Sequence, residues 1–79
     1  MKLDAEIMWL RDYPALGAKA GDTGVVPVDK DYVEADCDEV EQWVESELER
    51  KAGGRCCAGD DFEVTNLADV VSDLQAASA

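Results

Sequence analysis

The segment from Asp36 to Lys51 constrains this chain more than any other. Val40, Trp43, Val44 and Leu48 recur at three- and four-residue spacing, which places them on one side of a helix. Asp36 followed three residues later by Glu39 fits a capping box, with Asp in place of the usual Ser or Thr. Gly53 and Gly54 end the run, because glycine takes the left-handed cap conformation at little steric cost. A helix with one apolar stripe must lay that stripe on something, so the remaining residues have to supply a surface.

That surface begins at Lys2–Leu10. Leu3, Ala5, Ile7 and Trp9 alternate with Lys2, Asp4 and Glu6, the period of a strand. Met8 and Leu10 interrupt the polar side, which predicts a strand end covered on both faces. Asp12 to Gly24 is rich in Gly, Asp and Pro and reads as a long loop, punctuated by Gly17, Gly21 and Gly24. Val25–Val28 reads as a second strand, and Pro27, which lacks an N–H, places it at an edge. Tyr32–Ala35 either extends that strand past a turn at Asp29-Lys30-Asp31 or forms a short strand of its own. Phe62–Thr65 alternates again, with Phe62 and Val64 inward. Asn66 is the expected N-cap of a last helix whose narrow stripe is Leu67, Val70, Val71 and Leu74. Ala76–Ala79 is expected to fray.

The order β-β-α-β-α predicts one small α+β domain over residues 1–79. It would be a three-stranded mixed or antiparallel sheet with both helices on one face. A right-handed crossover through the main helix makes the second and third strands parallel, with the first, most apolar strand between them and antiparallel to both. Asp4, Glu6, Glu63 and Thr65 then lie on the face turned to water. A monomer is expected, although an open sheet edge also permits a dimer.

Composition enters at this point. The chain has 79 residues, 47% of them hydrophobic, too many for a disordered acidic tail. It is short enough that its stability should be only a few kcal/mol. Nineteen acidic residues against seven basic ones give a net charge of −12. Such a charge argues against nucleic acid or an anionic membrane as direct ligand and for a cationic partner. A basic protein surface is the natural one; polyamines and metal ions would bind less specifically. No apolar run approaches the roughly 20 residues of a membrane span. The start, Met-Lys-Leu-Asp-Ala-Glu, carries acids where a secretory signal needs an apolar core. Three cysteines, Cys37, Cys56 and Cys57, make a poor disulfide framework and point to free thiols in a reducing cytoplasm.

The charge is also local. From Asp29 to Glu49 there are ten carboxylates and one lysine. On a wheel of about 100° per residue, Asp38, Glu41, Glu45 and Glu49 fall within an arc of about 80°, opposite the Trp43 side. Neighbours at these spacings stand about 5–6 Å apart at Cβ. Phosphates of one DNA strand repeat at about 3.4 Å of axial rise, so a carboxylate ridge gives a protein a rough substitute for a phosphate track. The plain alternative is the solvated face of an amphipathic helix, and a chain acidic throughout for salt adaptation is another. Two features favour function. Glu41/Glu45 and Glu45/Glu49 are like-charge i, i+4 pairs, which disfavour the helix. The acids also continue upstream of it through Asp29, Asp31 and Glu34. The expected site is therefore Asp38, Glu41, Glu45 and Glu49, extended by Asp29, Asp31 and Glu34. Reversing Glu41 and Glu45 is expected to abolish binding and leave the fold intact.

Other chemistries find less support. Glu47 lies between Trp43 and Val40 on the wheel and reads as a snorkelling side chain paired with Lys51, more readily than as a buried functional carboxylate. Without histidine or a Cys-x-x-Cys pair, a zinc site is not expected. Asp36-Cys37-Asp38 and Asp60-Asp61 could loosely hold calcium or magnesium, but neither opens a segment with both the glycine at position six and the glutamate at position twelve of a calcium loop. A Cys or Ser nucleophile has no histidine base, and a carboxylate pair needs a cleft that a fold this small rarely encloses, so no enzyme and no cofactor are expected. A ring between Cys56 and Cys57 would be strained. Trp9 and Trp43 read as core. Tyr13 and Tyr32 lie beside the loops, and Tyr32, flanked by acids, suits an arginine-rich partner surface as an aromatic anchor.

Two families invite comparison. Acyl carrier proteins share the size and acidity, but they are all-helical and carry Asp-Ser-Leu at the start of a central helix. Ser72-Asp73-Leu74 has the wrong order and place, and the Leu3–Trp9 alternation disagrees as well. The chain looks more like the small acidic inhibitors encoded by phages and other mobile elements, above all the anti-CRISPR proteins of type I systems. The likeness lies in length, a compact α/β plan and the acidic segment Asp29–Glu49, in particular Asp36-Cys37-Asp38-Glu39-Val40-Glu41. It covers the whole chain. This resemblance implies a stoichiometric inhibitor, in the host cytoplasm if phage-encoded. It would occupy a DNA-binding surface of a Cascade complex, where lysines and arginines otherwise meet the DNA backbone or its recognition motif. The alternative is a structural or regulatory interaction module that docks through its sheet edge. Its affinity would change little with salt and would depend on Tyr32 or the Pro27 strand.

Overall fold

A computed structural model of the chain describes residues 2–78. Its elements are β1 (Lys2–Trp9), β2 (Thr23–Asp29), α1 (Cys37–Ala52), β3 (Phe62–Val64) and α2 (Leu67–Ser78). One turn of 3-10 helix at Pro14–Leu16 interrupts the connection between β1 and β2. The sheet order is β2-β1-β3. β1 is antiparallel to both neighbours, so β2 and β3 run in the same direction. This is the predicted small α+β plan, realised with purely antiparallel ladders.

Register explains the layering. Leu3 faces Val28 and Ala5 faces Val26 across β1 and β2. Ile7 faces Val64 and Trp9 faces Phe62 across β1 and β3. These side chains share one sheet face, and all but the partly buried Val64 are buried there. Val40, Val44 and Leu48 of α1 and Val70 and Leu74 of α2 join the same cluster, so both helices cover that face. Trp9 stacks on Tyr13 with centroids 5.0 Å apart and meets the edge of Phe62 at 6.0 Å. Asp4, Glu6, Glu63 and Thr65 lie exposed on the other face. Met8 there is half-buried and Leu10 is 39% exposed, so the end of β1 is covered on one side rather than two.

Several ends differ in detail from the sequence pattern. β2 begins at Thr23, because Thr23 and Gly24 pair with Met8 and Ile7 although Gly24 is a poor strand former. A Cβ on Gly24 would sit 3.6 Å from the Ile7 side chain, ordinary contact distance, so glycine is tolerated there rather than required. Residues 32–35 form no strand. The Tyr32 N–H donates to the Asp29 carbonyl (3.1 Å) and the Asp31 N–H to the Asp29 carboxylate (3.0 Å), closing a turn that drops Val33 into the core. At the start of α1 the Asp36 carboxylate accepts the Asp38 N–H at 2.8 Å. The reciprocal half of the capping box is displaced, since the Asp36 N–H donates to the Glu34 carbonyl. Gly53 ends α1 at φ +72° with its N–H on the Glu49 carbonyl. Nothing lies within 4 Å of a Cβ built there, so dihedral and not space selects glycine.

Asn66 holds the expected N-cap position of α2, its carbonyl accepting the Val70 N–H at 3.0 Å, but its side chain has a different task. Its side chain does not turn back onto α2. Its Oδ1 accepts the Glu6 N–H at 2.8 Å and its Nδ2 donates to the Asp4 carbonyl at 3.0 Å. The amide thus stands in for a strand residue and prolongs the β1–β3 ladder beyond Val64. α2 runs to Ser78, so most of the expected fraying segment is helical; Ala79 and the outward placement of the Lys2 side chain fall outside the described residues.

Candidate functional site

The acidic ridge of α1 lies beside the buried stripe rather than opposite it. With Val40, Val44 and Leu48 buried, the wheel puts the centre of the stripe near Val44. Glu41, Glu45 and Glu49 follow on one flank and are half-buried. Gln42, Ser46, Glu39 and Arg50 form the exposed back of the helix. The flank is half-covered because the loop after α1, residues 55–61, folds against it.

Carboxylates hold that loop. Three consecutive backbone N–H groups donate to three different acids. Cys56 donates to Glu49 Oε2 (3.2 Å), Cys57 to Asp61 Oδ2 (2.8 Å) and Ala58 to Glu45 Oε2 (2.8 Å). Arg11 forms an ion pair with Asp61. The Tyr13 hydroxyl donates to the Arg55 carbonyl at 2.5 Å. The Asp61 carboxyl is held below its ordinary range, chiefly by the Cys57 N–H, with Arg11 adding to the effect and desolvation opposing it. Cys56 is buried, and desolvation, reinforced by the nearby Asp61 charge, pushes its thiol up to about 11. Such a thiol is inert near neutral pH. Cys37 is an exposed free thiol, and Cys57 is free and half-buried.

The structure therefore divides the predicted ridge. Glu45 and Glu49 serve the fold as well as the surface. Asp38 is exposed, Glu41 half-buried, and both line an open groove with Gln42, Glu45 and Ala58. The upstream acids lie on the turn leading into α1: Asp29 half-buried, Asp31 and Glu34 exposed. Tyr32, between them, is 77% exposed, the most exposed of the large apolar side chains described. Trp43 is only half-buried and donates its indole N–H to the Pro27 carbonyl (2.8 Å), tying α1 to the outer edge of β2. Glu47 pairs with Arg50, not Lys51.

Sequence reasoning missed the loop clasp. Its acceptors were visible as acids, but their donors are backbone groups that only the tertiary fold brings near. Among the described residues two ion pairs occur, Arg11–Asp61 and Glu47–Arg50, and neither involves the acids of the groove or of the upstream turn. No group of three or more Cys, Asp or Glu side chains among the described residues is placed to hold a metal ion. No helix among them is long and apolar enough to cross a membrane. Comparison with known protein families, with curated proteins and with solved structures finds no match.

Proposed function

We propose that this chain is a non-catalytic acidic binding protein that blocks a basic, DNA-binding protein surface by presenting carboxylates where the partner otherwise meets phosphates. The resemblance to anti-CRISPR inhibitors makes a Cascade-type complex the partner class, in the cytoplasm of a host cell. The observation that carries the reading is the open groove walled by Asp38, Glu41 and Glu45, none of them in an ion pair among the described residues. Asp29, Asp31 and Glu34 continue the negative surface around the exposed Tyr32, and Glu49 prolongs it toward the end of α1. Tyr32 would lie against an arginine of the partner, as aromatic rings do at the centres of interfaces. The clasp fixes Glu45 and Glu49 before binding, which lowers the ordering entropy of the complex. Docking through the sheet edge has less to work with on β2, where Pro27 lacks an N–H and its carbonyl takes the Trp43 indole.

The test is competition for target DNA on a purified Cascade complex. Charge reversal should be made at Asp38 and Glu41, because Glu45→Lys would also release Ala58. Wild type should displace DNA near one-to-one at low salt and less at high salt. Asp38→Lys/Glu41→Lys should raise the inhibitory concentration at least tenfold with an unchanged circular dichroism spectrum. The charge-matched pair Asp60→Lys/Asp73→Lys should inhibit within about threefold of wild type. Equal losses in both pairs would mean that bulk charge acts, and unchanged inhibition by the first pair would refute the site.

A further inference from the structure

The uncovered face of the sheet carries a two-part pattern that the acidic helix does not explain. Register sets it out in rows. Pro27 of β2 lies beside Asp4 of β1, Val25 beside Glu6, and Thr23 beside Met8 and then Glu63 of β3. The β2 column is therefore apolar, with Pro27 and the 55% exposed Val25, while the β1 column is acidic through Asp4 and Glu6 before it ends in Met8. Glu63 adds a third carboxylate on the far side. A shallow groove runs across the middle row, lined by Glu6, Thr23, Val25 and Thr65 with Ile7 and Gly24 beneath. The two ion pairs among the described residues involve none of Asp4, Glu6 and Glu63.

We infer that this face docks a basic amphipathic helix of a partner protein, its apolar stripe on Val25, Pro27 and Met8 and its lysines or arginines over Asp4, Glu6 and Glu63. Charge complementarity selects the occupant. A second copy of the chain would set Asp4, Glu6 and Glu63 against their own counterparts, an arrangement of like charges that opposes self-association. A partner strand needs an edge, whereas a face is met by side chains alone, and a helix already solves the same packing problem twice on the opposite side of this sheet. The rows from Asp4 to Met8 span about 13 Å at roughly 3.3 Å per strand residue, the length of about nine helical residues. The surface is separate from the α1 groove, so either assignment can fail without the other.

The probe is a synthetic 15-residue leucine–lysine peptide with an amphipathic helical pattern, titrated into the full 79-residue protein labelled with nitrogen-15 at about 150 mM salt. Backbone amides of Glu6, Met8, Val25 and Glu63 should shift on binding. The decisive variant is Val25→Asp, which makes the protein more negative. Simple attraction between opposite charges predicts tighter binding; docking predicts binding weakened at least tenfold. Val25→Thr keeps the β-branched shape and guards against misfolding, and it should weaken binding about threefold. Shifts confined to Asp38–Glu45, or tighter binding by Val25→Asp, would overturn the assignment. So would a concentration-dependent dimer of the protein alone that Val25→Asp dissolves, because the occupant would then be a second copy.

Discussion

Asp61 shows how much one carboxylate decides here. It is the buried charged residue of the described chain, and it satisfies the Cys57 N–H and the Arg11 guanidinium at once. Removing a buried group so connected leaves its donors unpaired, which is worse than never having built the pair. Because its pKa is lowered by folding, its contribution to stability is complete above the unfolded carboxylate value of about 3.9. It is lost as pH falls through the lower folded value. Asp61→Asn keeps an acceptor for Cys57 and gives up the charge. Urea midpoints should therefore put the variant below wild type at pH 7, with the gap closing as pH falls below about 4. A gap of constant size over that range would show that the charge of Asp61 is not what stabilises the loop. Cys56, 0% exposed within this loop, was legible in the sequence only as half of an adjacent pair. Its own N–H donates to Glu49, and the next two N–H groups to Asp61 and Glu45, contacts that no local sequence signal marks.

At the scale of elements, β3 is the weak point. Three residues give few ladder bonds, and the strand is extended by a side chain rather than by backbone. Asn66 is legible in the sequence as a helix cap, since Asn before an apolar run is that signal. The structure uses its amide to bridge Asp4 and Glu6, and the Thr65 N–H donates to the Glu6 carbonyl alongside it at 2.8 Å. A side-chain amide reproduces both the donor and the acceptor of a peptide unit, so nothing in local sequence distinguishes the two uses. Asn66→Ala should cost about 1–2 kcal/mol from two hydrogen bonds. It should also speed hydrogen exchange at the Glu6 amide selectively. An exchange rate at Glu6 equal to wild type would return Asn66 to an ordinary cap. α1 is the opposite case. Its start, stripe and glycine stop are all local signals, and the structure follows them to within a residue.

At the scale of the molecule, the excess of negative charge has two consequences of opposite sign. Self-repulsion weakens the compact state, and the same field draws a basic partner. Salt screens both, since the Debye length falls to about 10 Å at 0.1 M. Raising sodium chloride from about 10 to 300 mM should therefore increase the urea midpoint of the free protein while weakening its grip on a basic surface. A urea midpoint that fell with salt would mean that favourable ion pairs dominate, contrary to the two found among the described residues. The charge is spread over both layers, the α1 flank on one and Asp4, Glu6 and Glu63 on the other.

By itself the sequence determined the element order, the buried face of β1 and α1, and the stretch where carboxylates concentrate. These follow from periodicities and caps that act within a few residues. The tertiary structure decided which carboxylates remain available. Glu41, Glu45 and Glu49 look equivalent on a wheel, yet a loop lies against their flank and draws Glu45 and Glu49 into hydrogen bonds with backbone groups 13 and 7 residues away. No local rule encodes that choice, because backbone donors carry no side-chain signature and their position depends on how the whole chain closes.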